Sequence, residues 1–198
     1  MFRKPVTRTN YLCSMVLAII SIVAVTLVGT SAPVSAQTVI SAPQNTPVTL
    51  GADGTVTVTD TGSITVNNPD TVAIDSGGFN SEVTLFGPVS ATNNVPAPSV
   101  NTILQEGDAF NTLIVRQGGD ISASDTTNAA NVRGVYQNDL TATHTVDLEN
   151  AQITVTSTSA TTRGIEQIGG TGATLVQFGS NGRLSVTGQT GRPLAYCR

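Results

Sequence analysis

One stretch is written four times along this chain, and the period constrains the fold more than any other feature. The clearest copy runs Thr145-Val146-Asp147-Leu148-Glu149-Asn150-Ala151-Gln152-Ile153-Thr154-Val155 and, after a Ser/Thr run, Arg163-Gly164-Ile165-Glu166-Gln167. Upstream lies a copy with Leu113-Ile114-Val115, Ile121-Ser122-Ala123 and Arg133-Gly134-Val135-Tyr136-Gln137. Downstream lies another, with Leu175-Val176-Gln177-Phe178, Leu184-Ser185-Val186 and Gly191-Arg192-Pro193-Leu194. A weaker copy carries Val83-Thr84-Leu85, Val89-Ser90-Ala91 and Ile103-Leu104-Gln105. Val89, Ile121, Ile153 and Leu184 hold equivalent places, separated by 32, 32 and 31 residues. A fixed period of this size marks a stacked-repeat architecture.

Within each repeat the apolar residues alternate with polar ones over short runs bounded by Gly, Asn or Asp, as half-buried strands do. No long window shows apolar residues at helical spacing. Three short strands per repeat predict an all-β fold: a parallel β-helix (β-solenoid) with coils of ~31 residues, successive coils pairing edge to edge. Val89, Ile121, Ile153 and Leu184 are expected in one inward stack. Val83, either Leu113 or Val115, Val146 and Val176 are expected in or beside another, and Leu194 where Val135 and Ile165 sit. Earlier runs extend the pattern: Val48-Thr49-Leu50, Thr55-Val56-Thr57-Val58 and Ser63-Ile64-Thr65-Val66, with Val72-Ala73-Ile74 closing a first, shorter coil. Thr92 to Ser99, with Asn93, Asn94, Pro96 and Pro98, reads as a loop or connector.

The N-terminus has a different character. Arg3, Lys4 and Arg8 precede an uncharged apolar run from Met15 to Gly29, and Val34-Ser35-Ala36 offers small residues to a signal peptidase. This layout predicts a helical secretory signal peptide over residues 1–36, cleaved between Ala36 and Gln37. The organisation expected is therefore signal peptide 1–36, polar lead-in or first cap 37–47, repeats 48–194 and a short tail 195–198. Beyond residue 36, six arginines stand against thirteen acids, a net charge of −7. Such a surface repels phosphate backbones and argues against nucleic acid as a partner. Cys13 leaves with the signal peptide and Cys197 stands alone, so burial and backbone ladders must hold the domain, not disulfides.

Residues able to carry chemistry are sparse. His144 has no partners at the spacing of a catalytic or metal site and is read as an outward polar residue. Asp120, Asp147, Glu149 and Glu166 fall at different repeat positions; Asp147 and Glu166, each beside an inward residue, are expected to point outward as solvated rungs. Gly169-Gly170-Thr171-Gly172-Ala173-Thr174 begins like a calcium-binding nonapeptide but does not recur, and is read as a turn. Arg133, Arg163 and Arg192 recur at about one repeat position. They are either a surface stripe for anionic glycans or an ordinary repeat position offset by neighbouring acids. Gly134 and Gly164 after them suggest a bend or bulge before the third strand. No catalytic residue, cofactor or metal is read from the sequence.

The signal peptide, the lysine-free Thr/Asn/Gly/Val composition beyond it, and runs such as that from Gly54 to Val66 together resemble the passenger region of bacterial autotransporters. The resemblance implies a right-handed β-helix carried across the outer membrane by a C-terminal barrel, of which residues 195–198 hold no part. The chain is thus expected as an N-terminal piece of such a protein: exported, non-enzymatic, and located at the cell surface, in the outer membrane or outside it, or in the periplasm without the barrel. Membrane contact would run only through the signal peptide or that barrel. Adhesion to a host or cell-surface glycan or protein is the role this suggests. Two alternatives stand beside it. One is a polysaccharide-acting β-helix enzyme, which requires two or more acids with an arginine facing one groove. The other is a haemagglutinin-like exoprotein, of whose signature Asn67-Asn68-Pro69-Asp70 is a partial echo. The last coil, without a polar cap, is expected to expose an apolar rim and free strand edges and to associate end to end.

Overall fold

A computed structural model describes residues 36–67, 72–127, 129–158, 161–169 and 171–188, and the backbone of 195–197. The expected signal peptide as far as Ser35, together with Arg192 and Leu194, lies outside the described residues. The described strands follow one another in threes. The first coil holds β1 (Gln37–Ile40), β2 (Pro43–Gln44) and β3 (Val48–Leu50), and the second β4 (Thr55–Val58), β5 (Ser63–Val66) and β6 (Val72–Ser76). The third holds β7 (Asn80–Leu85), β8 (Val89–Asn93) and β9 (Ser99–Gln105), and the fourth β10 (Phe110–Val115), β11 (Ile121–Asp125) and β12 (Asn131–Asn138). The fifth holds β13 (Thr143–Leu148), β14 (Gln152–Ser157) and β15 (Thr162–Ile168), and the sixth β16 (Thr174–Phe178), β17 (Arg183–Thr187) and β18 (Ala195–Cys197). Each strand pairs in parallel with its counterpart in the next coil. The result is three six-stranded sheets: A from the first strands of the coils, B from the second, C from the third. The chain is a β-solenoid, and no described residue is helical.

Register shows why the period is so regular. Ile64, Val89, Ile121, Ile153 and Leu184 stand opposite one another along sheet B. Val56, Val83, Leu113, Val146 and Val176 do the same along sheet A, which places Leu113 and not Val115 in that stack. Ile74, Ile103, Val135 and Ile165 line sheet C, where the next partner is Ala195, one residue beyond the expected Leu194. Like sits on like, so every inward side chain meets one of similar shape a coil away. From the second to the fifth coil these residues are essentially inaccessible. Burial of each such side chain is worth ~1.5–3 kcal/mol. In the sixth coil Val176, Leu184 and Val186 are only partly buried, and Leu175 and Phe178 are exposed.

The start of the fold lies earlier than expected. Gln37–Ile40 and Pro43–Gln44 pair with β4 and β5, so the segment taken as a lead-in is the first coil. Val48–Leu50 accordingly belongs to sheet C and closes that coil. Pro43 is tolerated because β2 is an edge strand, which needs no amide donor on its outer side. The irregularity expected before the third strand lies within it, at Gly134 of β12 and Gly164 of β15. A Cβ on Gly134 would meet Ile153 Cγ2 at 2.6 Å and one on Gly164 would meet Leu184 Cδ1 at 2.1 Å, so both glycines face inward. Val135 and Ile165 after them also face inward, and alternation breaks at this corner. Of the segment from Thr92 to Ser99, Thr92 and Asn93 complete β8 and Ser99 opens β9. The residues between them form a loop stacked on the next coil, with Val95 O 2.9 Å from Thr127 Oγ1.

The interior is not wholly apolar. Gln105, Gln137 and Gln167 are fully buried and in register. Gln137 Nε2 donates to Gln105 Oε1, and Gln167 Nε2 to Gln137 Oε1, both at 2.7 Å. The same amides reach across to carbonyls of sheet A, at Thr112, Thr145 and Leu175. This ladder ties sheets C and A together with hydrogen bonds that water cannot contest.

Candidate functional site

The arginine stripe resolves into an ion-pair network. Arg133 and Arg163 stand in register on sheet C, in line with Asn101. Both guanidiniums bind one carboxylate: Arg133 Nε pairs with Glu166 Oε2, and Arg163 Nη1 lies 3.0 Å from the same oxygen. Arg133 also donates to Asn101 Oδ1 at 3.2 Å and stacks on the Tyr136 ring at 4.1 Å. Glu166 lies on the outer face of sheet C, yet it is buried beneath these guanidiniums instead of being solvated. A charge taken out of water needs such pairing. Of the two readings of the stripe, the pairing of Arg133 and Arg163 supports a repeat position offset by an acid.

His144 departs from expectation. It is fully buried. In β13 it has the same parity as Val146 and Leu148 and so faces inward. Its Nε2 lies 3.1 Å from the carbonyl oxygens of both Asp139 and Ile168, which only accept, so Nε2 carries the hydrogen. Nδ1 accepts from Asn111 Nδ2 at 3.3 Å. Asn111 is itself saturated by Ser81 and Gly107. The imidazole is a cross-link between turns.

A second buried cluster closes the corner between sheets B and C. Asn93, Asp125 and Ser157 are in register. Asp125 accepts from Asn93 Nδ2 at 2.8 Å, Thr127 Oγ1 at 2.9 Å, Ala129 N at 3.0 Å and Ser157 Oγ at 3.3 Å. Burial by itself pushes this carboxyl up. Hydrogen bonds from Thr127, Ala129 and Asn93 together outweigh burial and hold it below its ordinary range.

The acids of the repeats separate into two neighbouring groups near the corner between sheets A and B. Asp147 and Glu149 share Arg116, at 2.9 Å and 3.9 Å. Two of the repeat acids thus meet one arginine here. Asp120 lies apart, its Oδ1 accepting from Gln152 N at 2.9 Å. It borders a shallow open hollow lined by Gln117, Asp120, Asn150, Gln152, Asn181 and Arg183, with Ala151 at its floor.

Strand geometry builds this hollow. Ile121, Ile153 and Leu184 point inward in register, so Asp120, Gln152 and Arg183 immediately before them stand in a column outside. Neighbouring coils are ~4.8 Å apart, which sets the spacing of that column. Asn150 and Asn181 turn the chain from sheet A to sheet B with φ of 54° and 58°, a left-handed conformation that asparagine tolerates. Asn181 Nδ2 donates to Asn150 Oδ1 at 3.0 Å, which fixes the ridge of the hollow. The side chains of Gln117, Gln152 and Arg183 have no protein partner among the described residues. No group of three His, Cys, Asp or Glu converges as metal ligands among those residues. No protein-family model, curated protein or solved structure matches the chain.

Proposed function

We propose that the chain is an exported, non-enzymatic β-helix scaffold, of the kind displayed as the passenger of an autotransporter-like surface protein, with adhesion as its role. The observation that carries this reading is the fate of its chemically capable side chains. His144, Asp125, Arg133 and Glu166, the reactive groups at the most buried positions, are each engaged by at least one partner a coil away. They serve to stack coils. The signal-like N-terminus and the lysine-free, acidic composition beyond it support export.

The test is to express the chain with its N-terminus intact and to analyse the envelope fraction. The protein is expected to begin at Gln37 and to leave acidic polysaccharides uncut. A product that retains Met1 in the cytosol would overturn export. Shortened polysaccharide would overturn the non-enzymatic role and favour the second reading, a polysaccharide-acting enzyme. That reading draws its support from Arg116, Asp147 and Glu149, and under it Asp147→Asn with Glu149→Gln should abolish cleavage.

A further inference from the structure

We infer that the hollow between sheets A and B in the fourth to sixth coils is a binding site for an acidic oligosaccharide lying along the solenoid axis. This rests on the adhesive reading above and assigns it a place and a ligand chemistry. The lining is amide-rich and more polar than apolar: Gln117, Gln152, Asn150 and Asn181 around Asp120 and Arg183. Amides and carboxylates present donors and acceptors side by side, which suits the paired hydroxyls of a sugar. A peptide would ask instead for an apolar anchor pocket, or for a free strand edge. Ala151 is the sole apolar residue lining the hollow, and of the strands bordering it β11 and β14 are already paired on both sides, with β17, which carries Arg183, at the sheet edge.

The column is also polar in the directional sense. Asp120 holds one end, with Oδ1 occupied by Gln152 N and its other oxygen meeting no donor among the described residues. Gln152 stands in the middle and Arg183 at the other end. An unpaired guanidinium matches a carboxylate with two parallel hydrogen bonds. A ligand with hydroxyls on Asp120 and Gln152 and a carboxylate on Arg183 satisfies all three. The ridge of Asn150 and Asn181, already hydrogen-bonded, loses little freedom on binding. The molecule is strongly acidic overall, so a densely charged polymer is repelled, and sparse carboxylates on a hydroxyl-rich chain fit better. The open shape of the hollow makes single-site binding weak, on the order of millimolar, and a multivalent surface would supply avidity.

The probes are a galactose tetramer in which one unit is replaced by galacturonic acid and the all-neutral galactose tetramer, titrated into isotopically labelled protein spanning residues 37–198. Side-chain amide signals of Gln117, Asn150, Gln152 and Asn181 should shift with both probes, and more strongly with the acidic one. Arg183→Gln should weaken the acidic tetramer about tenfold and leave the neutral one within about twofold, as loss of one charge-assisted pair requires. Gln152→Ala should weaken both. These residues are exposed, and an unchanged melting curve for each variant confirms that the fold is intact. Absence of shifts, shifts mapping elsewhere, or indifference of the acidic tetramer to Arg183→Gln would overturn the assignment. So would a peptide competing for the same signals more tightly than either sugar. Failure here with intact export from Gln37 leaves the scaffold reading standing. Binding accompanied by cleavage keeps the site and removes the non-enzymatic role.

Discussion

At the scale of single residues, the solenoid tolerates little change on its inner face, because each inward side chain is a rung in a stack. Ile153 has Ile121 on one side and Leu184 on the other, and no polar group of its stack faces it. Ile153→Asp should prevent folding, since it buries an unpaired charge. Ile153→Val should cost ~0.5–1.5 kcal/mol in urea unfolding. A melting curve for Ile153→Asp that matches the parent would show that the side chain is not inward. Gly134 is constrained by space and not by a left-handed φ. Gly134→Ala drives a methyl into Ile153 and within 3.2 Å of Val155 Cγ2, and overpacking of this kind costs ~1–3 kcal/mol. The double variant Gly134→Ala with Ile153→Ala, which removes Cγ2, should cost less than the sum of the two single changes, and an additive result would place the clash elsewhere.

At the scale of strands and turns, the polar ladders carry much of the specificity of stacking. Gln137→Ala orphans the acceptor of Gln105, weakens the donor of Gln167 and leaves a cavity. The expected loss is roughly 2–4 kcal/mol. Gln137→Glu should be worse, because the ionised carboxylate would face Gln105 Oε1 and the carbonyls of Asn111 and Thr145. Denaturant midpoints of the two variants should fall in that order. The corner around Asp125 should make stability depend on acid. Its folded-state carboxyl titrates below its unfolded one, so its contribution is complete above about pH 4, the unfolded value, and is lost as pH falls through the lower folded value. Asp139, lowered chiefly by the Thr141 hydroxyl, works in the same sense, while Asp75, raised by burial, opposes both. Asp125→Asn should therefore lower stability at neutral pH and flatten its fall below pH 4. Parallel pH profiles for variant and parent would contradict this.

At the scale of the whole molecule, a stack of coils is stable as a sum of coil and interface terms, and its ends are its weakest parts. Strands β16, β17 and β18 each have one hydrogen-bonded neighbour, and Leu175 and Phe178 lie exposed beside them. Within each sheet all strands run in one direction, so the sixth coil of one copy presents edges that can continue into the first coil of another, a head-to-tail contact that does not close. The protein spanning residues 37–198 should form oligomers in light scattering, in part sensitive to reductant through Cys197. Leu175→Glu with Phe178→Glu should return it toward monomer. A monodisperse parent would contradict this end-to-end contact.

Much of this architecture was legible before any coordinates. The period, the parallel stacking and the rungs Val89, Ile121, Ile153 and Leu184 are local facts, because alternation and turn residues act over a few positions and repeat. Parity alone would also have turned His144 inward beside Val146 and Leu148, and the recurrence of Gln105, Gln137 and Gln167 two places after an inward Ile or Val was visible. Folding decided which polar groups are buried. Glu166 looks like a surface residue in its own strand, and Asp125 and His144, inward by parity, have no partner within theirs. They are covered or saturated by groups about 30 residues away in sequence, a coil apart in space. The first coil is the clearest case. Gln37 to Gln44 has too few alternating apolar residues to declare itself a pair of strands. It becomes β1 and β2 only because β4 and β5 offer paired edges to build upon.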